Sequence, residues 1–206
     1  MERVLFWFFQ FFFRTIPTFF SCVRSGIRYD SSWCVKGKIH ILRRKWYDRL
    51  FRGLKGGEII IGKGFKCNNR IDSNSIGLIQ PCVFNVEAED SKIIIGNNVG
   101  ISGSTLNASL QIKIDDNVLI GSGCLITDTD SHPIEYMSRI NNDNTKTGKA
   151  PIHICEGAFV GARSIILKGV TIGPHSIIGA GSVVTRDIPE NCLAYGNPVV
   201  IVKKDC

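Results

Sequence analysis

His132 is the residue of this chain best surrounded for chemistry. It lies in the run Asp128-Thr-Asp-Ser-His-Pro133, ahead of an Asn-, Thr- and Lys-rich stretch that ends near Ala150. An imidazole titrates near neutral pH, so one anchored beside a rigid scaffold can take a proton from an acceptor hydroxyl as general base. A carboxylate or carbonyl on the other ring nitrogen fixes the tautomer. Asp130 is the expected partner, with Asp128 and Glu135 as further candidates, and Pro133 restricts the backbone of His132. His153 and His175 stand 22 residues apart and fall near different corners of the scaffold described next, a poor metal pair. His40 lies in a basic stretch and gains no role.

The element that must hold this loop is a repeat of six. From Ile154 the chain reads Ile154-Cys-Glu-Gly-Ala-Phe, Val160-Gly-Ala-Arg-Ser-Ile, Ile166-Leu-Lys-Gly-Val-Thr, Ile172-Gly-Pro-His-Ser-Ile and Ile178-Gly-Ala-Gly-Ser-Val, then Val184. A β-branched aliphatic opens each block and a small residue or valine takes the fifth place. Neither a helix nor a plain alternating strand has this period. It fits a short strand and a tight corner, repeated, with the first and fifth residues turned inward. Three such units close a coil of about 18 residues, so the chain reads as an all-β solenoid. Ile114, Ile120 and Ile126 extend the repeat backwards, Ile95 and Ile101 further still, and Ile61-Gly-Lys-Gly-Phe-Lys marks an early, irregular turn. The solenoid is expected over 58–190. It is interrupted at 128–150 by a loop thrown out of the coil, and followed by a closing segment at 191–206. Loops carried on rigid scaffolds are where function tends to sit.

Composition narrows the rest. The net charge of +7 is lopsided, since residues 1–70 hold 15 Lys and Arg against 4 Asp and Glu. That basic part has no helix-turn-helix, zinc-finger or RNA-binding signature, so a nucleic-acid partner is not expected. The eight cysteines form no Cys-x-x-Cys pair. A reduced cytoplasmic setting is expected rather than a disulfide framework, and no structural metal. Cys124 takes a small fifth place as a compact hydrophobe.

Residues 1–57 form a separate, partly helical segment. Val4 to Phe13 is almost wholly apolar and aromatic, and too short to cross a bilayer. With the basic run that follows, residues 1–52 read as a membrane-surface contact; the other reading is a helix packed on the solenoid's end. Ile39 to Leu54 is expected to be a short amphipathic helix.

Residues from about 58 to 202 resemble the hexapeptide-repeat acyltransferases. The nearest branch is that of maltose and galactoside O-acetyltransferases and the related capsule and lipopolysaccharide O-acetyltransferases. The carrying residues are Ile114-Asp-Asp-Asn-Val-Leu-Ile-Gly-Ser-Gly, the His132 loop, Ile172 to Pro189, and Tyr195-Gly-Asn-Pro. The resemblance implies a left-handed parallel β-helix, a homotrimer, and acetyl-CoA as co-substrate in the groove between neighbouring coils. It matches His132 to the catalytic histidine and the Ala162 backbone N–H to the oxyanion donor. Gly161 and Ala180 match the pantetheine channel, Thr185 and Arg186 the nucleotide end, and Gly196, Asn197 and Pro198 the closing turn. The asparagine that often holds the acceptor in this branch is absent, and Ser102 or Asn107 stands near its place.

The resulting expectation is an O-acetyltransferase acting on a sugar hydroxyl of a cell-surface polysaccharide or its precursor, cytoplasmic and peripheral on the inner membrane face. N-acetylation of a nucleotide-linked amino sugar uses the same chemistry and is not separated by sequence. From another class, a non-enzymatic or metal-dependent β-helix protein remains open.

Overall fold

A computed structural model describes residues 30–36, 39–43 and 57–204. They wind into a left-handed parallel β-helix with three flat faces. The first face stacks Cys34–Lys36, Lys66–Asn68, Gly100–Ser102, Leu119–Ser122, Phe159–Val160, Ile177–Ile178, Cys192–Tyr195 and Val200–Lys204. The second stacks His40–Arg43, Val83–Val86, Thr105–Ala108, Leu125–Thr127, Ile165–Ile166 and Val183–Val184. The third stacks Glu58–Ile61, Lys92–Ile95, Gln111–Ile114, Ile152–Ile154 and Thr171–Ile172. Among the described strands all pairings are parallel except the last, where Val200–Lys204 runs antiparallel to Cys192–Tyr195.

Register follows the repeat. Val160 pairs Ile178 and Ile166 pairs Val184, each 18 residues on. Ile154, Val160, Ile166, Ile172, Ile178 and Val184 are all fully buried, and so are the fifth-place residues Ala158, Ser164, Val170, Ser176 and Ser182. Each buried aliphatic contributes about 1.5–3 kcal/mol of transfer free energy. The early coil departs from the small-residue rule. Phe65 fills the fifth place there, packed edge-on against Trp33 and Phe84 at ring separations of 5.8 and 6.3 Å.

Two expectations change. The parallel ladder reaches back beyond Glu58, since Cys34–Lys36 pairs Lys66–Asn68 and His40–Arg43 pairs Val83–Val86. The amphipathic helix read over Ile39 to Leu54 is, at His40–Arg43, a strand, because the backbone there has a ladder partner. Residues 44–56, and the aromatic segment 1–20, lie outside the described residues.

Two segments leave the coil. Residues 69–82 bridge the first and second faces through a single 3-10 turn, Ile71–Ser73. Residues 128–151 bridge the second and third faces, and Ile126 pairs Ile166, 40 residues on, across this insertion. The insertion is ordered. Its arms join at the Thr129–Lys149 bridge, with Asp130 N–H donating to the Gly148 carbonyl at 2.9 Å. Between them lie a short helix, Tyr136–Ile140, and a 3-10 turn, Asn144–Lys146, tied by Lys146 to Glu135 at 2.6 Å. The arm departs from Asp128, which is buried. Its carboxylate accepts the backbone N–H groups of Ser109 at 2.6 Å and Leu110 at 2.7 Å. Replacing Asp128 by Ala strands two buried donors and is expected to cost about 2–4 kcal/mol, read as a lowered thermal melting midpoint. Asp128→Asn, which keeps one acceptor oxygen, should lose less.

Candidate active site

At the corner between the first and second faces, successive coils turn through Ser122, Ala162 and Ala180. Glycine allows these coils to approach closely. A Cβ on Gly161 would stand 2.5 Å from the Ala180 nitrogen, and one on Gly121 would stand 2.5 Å from the Ala162 nitrogen. Arg163 adopts a positive φ of 60°, and the Arg163 and Gly181 N–H groups bond to Ser122 and Ala162 carbonyls in the coil before. The N–H groups of Ala162 and Ala180 have no protein acceptor among the described residues. They lie on a groove of about 540 Å³ whose facing wall is the 69–82 segment, through Ile71, Ile76, Leu78 and Ile79. The Ser122 hydroxyl fixes that wall by donating to the Gly77 carbonyl at 2.8 Å. Ser102, two coils below Ala162 on this corner, is buried and accepts from Asn68 Nδ2 at 3.1 Å.

The next corner, between the second and third faces, carries the histidine. His132 is exposed on the protruding arm, just after Ser131 at a φ of 62°. None of its expected carboxylate partners reaches the ring. Asp130 is bonded to Lys168 Nζ at 2.6 Å, Asp128 caps the Ser109 turn, and Glu135 pairs with Lys146 and Ser138. Among the described residues no carboxylate bonds to the His132 ring. Lys168, a third-place residue one coil above, competes successfully for Asp130 because the stacked corners bring charge to charge. The second Asp130 oxygen is buried without a partner.

Asn107 shares this side of the molecule. Its carbonyl accepts from Asn85 Nδ2 at 2.6 Å and its own amide donates to Thr127 Oγ1 at 3.3 Å, in a ladder of equivalent positions up the second face. Thr185 and Arg186 follow Val183–Val184 on the same corner, both exposed, and Arg186 donates to the Val199 carbonyl at 2.8 Å. Gly196 N–H donates to Ser182, and Asn197–Pro198 is a cis peptide.

The residues singled out from sequence therefore fall into two groups. Ser102, Gly161, Ala162 and Ala180 occupy one corner; Asn107, Asp130, His132, Thr185 and Arg186 occupy the next. One face of about five residues lies between them, roughly 15 Å at about 3.3 Å per residue. The isoleucine wall was not legible as part of a site, although an apolar run that breaks the six-residue period was its signal.

A separate polar group sits on the third face. His153 Nε2 lies 2.7 Å from Asp115 Oδ2, Lys113 Nζ lies 2.9 Å from Asp115 Oδ1, and Cys155 Sγ lies 3.8 Å from His153 Nδ1. Burial alone would raise the Asp115 carboxyl, but bonds from Lys113 and His153 outweigh it and hold it below the usual carboxylate range. Asp115, His153 and Cys155 could face one metal ion, yet Lys113 already supplies the cation that this carboxylate needs.

Comparison with known proteins agrees with this architecture. Residues 151–186 match the bacterial transferase hexapeptide (six repeats) family. A candidate acetyltransferase of Staphylococcus aureus (strain Mu50 / ATCC 700699) is 49% identical over 113 residues, 46% of this chain and 55% of its own. Galactoside O-acetyltransferase of Escherichia coli (strain K12) is 36% identical over 115 residues, 55% of each chain. The chain thus spans about half the length of the curated relatives it matches. A solved galactoside acetyltransferase in complex with coenzyme A superposes with a TM-score of 0.54 and 30% identity, covering 69% of this chain and 66% of that one. Residues 151–186 thus carry the bacterial transferase hexapeptide repeat, and the chain is similar to the galactoside O-acetyltransferases over about half of their length.

Proposed function

We propose that the chain is an acetyl-CoA-dependent O-acetyltransferase that acts as a homotrimer on a sugar hydroxyl of a cell-surface polysaccharide or its precursor. The observation that carries this reading is the pair of unpaired N–H groups, Ala162 and Ala180, stacked on one groove. The groove suits the donor. A wall of isoleucine and leucine faces an extended apolar arm, while the ledge opposite offers backbone donors to a carbonyl oxygen. The similarity to a galactoside O-acetyltransferase and to a galactoside acetyltransferase bound to coenzyme A supports the same choice.

Acetyl-CoA, when bound, supplies an activated thioester carbonyl. His132 accepts the proton of the acceptor hydroxyl at a ring nitrogen, so that the oxygen can attack. The Ala162 N–H faces the carbonyl oxygen as negative charge develops on it, and a fixed donor there lowers the barrier; as the C–S bond then breaks, the departing coenzyme A thiolate takes the proton held on His132. Thr185 and Arg186 lie where a nucleotide phosphate can be met, Arg through its planar fork of donors. Ser102 and Asn107 are the polar groups nearest to each half of the site for holding the sugar.

Ala162 and His132 stand on different corners, so a second copy of the chain completes the site. An apolar stripe supports such packing. Leu119 and Phe159 pair on the outer side of the first face, 54% and 42% exposed, continued by Ile177 and Leu193. Exposed apolar residues aligned in this way mark contact surfaces. Residues 1–52 are the proposed contact with the inner membrane face. Among the described residues no helix is long and apolar enough to cross a membrane.

Three measurements check the reading. Thiol release from acetyl-CoA, run against a panel of sugars, nucleotide sugars and lipid-linked oligosaccharides, should depend on one acceptor and fall about a hundredfold or more in His132→Ala. Full activity in that variant removes His132 from the mechanism. The double change Leu119→Lys and Phe159→Lys should turn a trimer into a monomer by light scattering and abolish transfer. Deleting residues 1–20 should leave transfer to a soluble acceptor intact and reduce partitioning onto anionic vesicles; unchanged partitioning rejects the membrane contact.

A further inference from the structure

Behind the Ala162 ledge runs a column of buried hydroxyls and thiols. Ser104, Cys124, Ser164 and Ser182 occupy the same inward place in successive coils, each at most 1% exposed. Their hydrogens are aimed at the peptide carbonyls of the corner. The Ser164 hydroxyl lies 2.8 Å from the Gly161 carbonyl oxygen and 3.1 Å from that of Gly179. The Cys124 thiol lies 3.2 Å from the same Gly161 oxygen, and the Ser182 hydroxyl 2.5 Å from the Gly179 oxygen. Burial pushes the Cys124 thiol up, so it keeps its hydrogen and can donate.

A trans peptide points its C=O and its N–H in opposite directions. If the Gly161 oxygen is held inward, the N–H of the same peptide, that of Ala162, must face outward into the groove. The Gly179–Ala180 peptide obeys the same rule. This accounts for why Ala162 and Ala180 keep N–H groups without protein acceptors, while their neighbours Arg163 and Gly181 do not. Gly161 adds a reason for needing the anchor. Without a side chain, the preceding residue resists rotation of that peptide only weakly. An inward bond to the carbonyl also polarises the peptide and strengthens the N–H on its far side.

We propose that Ser164, assisted by Cys124, is a positioning residue that fixes the Gly161–Ala162 peptide with its N–H directed at the reacting carbonyl. The inference rests on the reading of Ala162 as the oxyanion donor given above. The same fold supplies its control. Ser176 occupies the fifth place at another corner, fully buried, and its hydroxyl donates to the Pro189 carbonyl at 2.6 Å, away from the groove that Ala162 and Ala180 line. A purely structural hydroxyl behaves as Ser176 does.

The test compares Ser164→Ala, Ser164→Cys, Cys124→Ala and Ser176→Ala in the full chain. Two readouts are used: steady-state kinetics, and the infrared stretch of a carbonyl-labelled acetyl-CoA bound without acceptor. In the wild type the thioester stretch should move to lower frequency on binding. Ser164→Ala should lose most of that displacement and lower kcat on the order of tenfold with KM for acetyl-CoA unchanged. Ser164→Cys, which retains a donor of the type already present at Cys124, should recover both. Ser176→Ala should alter melting temperature only. Equal behaviour of Ser164→Ala and Ser176→Ala overturns the proposal. If Ser164→Ala does not fold, Cys124→Ala with an undiminished infrared displacement and kcat does so too. Binding of acetyl-CoA with no displacement in the wild type instead removes Ala162 as oxyanion donor, and absence of binding removes the donor assignment itself.

Discussion

Coil-to-coil hydrogen bonding is the constraint on which the molecule depends. Each strand pairs with the strand one turn above and one below, so successive coils are held at about 4.8 Å. Nothing inside the coil can then be larger than the space three short strands enclose. That is why aliphatics such as Ile154, Val160 and Ile166 fill the faces, and why Ser164 and Ser182 fill the corners. Where the aromatic trio Trp33, Phe65 and Phe84 packs instead, the period is lost. The same spacing stacks corner on corner, so that any group set outward in one turn meets its counterpart in the next.

Stacking turns the corners into continuous edges. One edge presents peptide N–H groups at Ala162 and Ala180 beside an apolar wall. The next presents the arm that carries His132, gripped at its root by Asp128 and by the Thr129–Lys149 bridge. The chemistry proposed above needs both. A rigid prism cannot fold one edge onto another, so the proposed chemistry requires assembly of copies rather than motion within one copy.

Much of this was legible in the sequence because the repeat encodes it directly. A β-branched residue every six positions specifies which side chains point in, and the interruption after Ile126 specifies where a loop must leave. Register, core and the position of the His132 arm follow from that pattern alone. What escaped was what depends on stacking between distant positions. Asp130 was expected to serve His132, yet Lys168 takes its carboxylate, a contact between residues 38 apart. The pairing of Asp115 with His153 is of the same kind, again 38 apart. The early strands Cys34–Lys36 and His40–Arg43 escaped for the opposite reason. They pair with the ladder although their sequence lacks the small fifth place, because aromatic packing substitutes for it.

The reversal of direction at Val200–Lys204 has a consequence for the molecule as a material. A parallel solenoid is its own template: the open upper edge of one turn fits the lower edge of another molecule's first turn, and nothing in the repeat limits growth. Laying the final strand backwards against Cys192–Tyr195 breaks that match. An incoming coil of the parallel kind meets a strand running the wrong way, which carries the exposed Lys203. Reversed polarity and a lysine at that edge oppose the parallel addition of a further coil on this face.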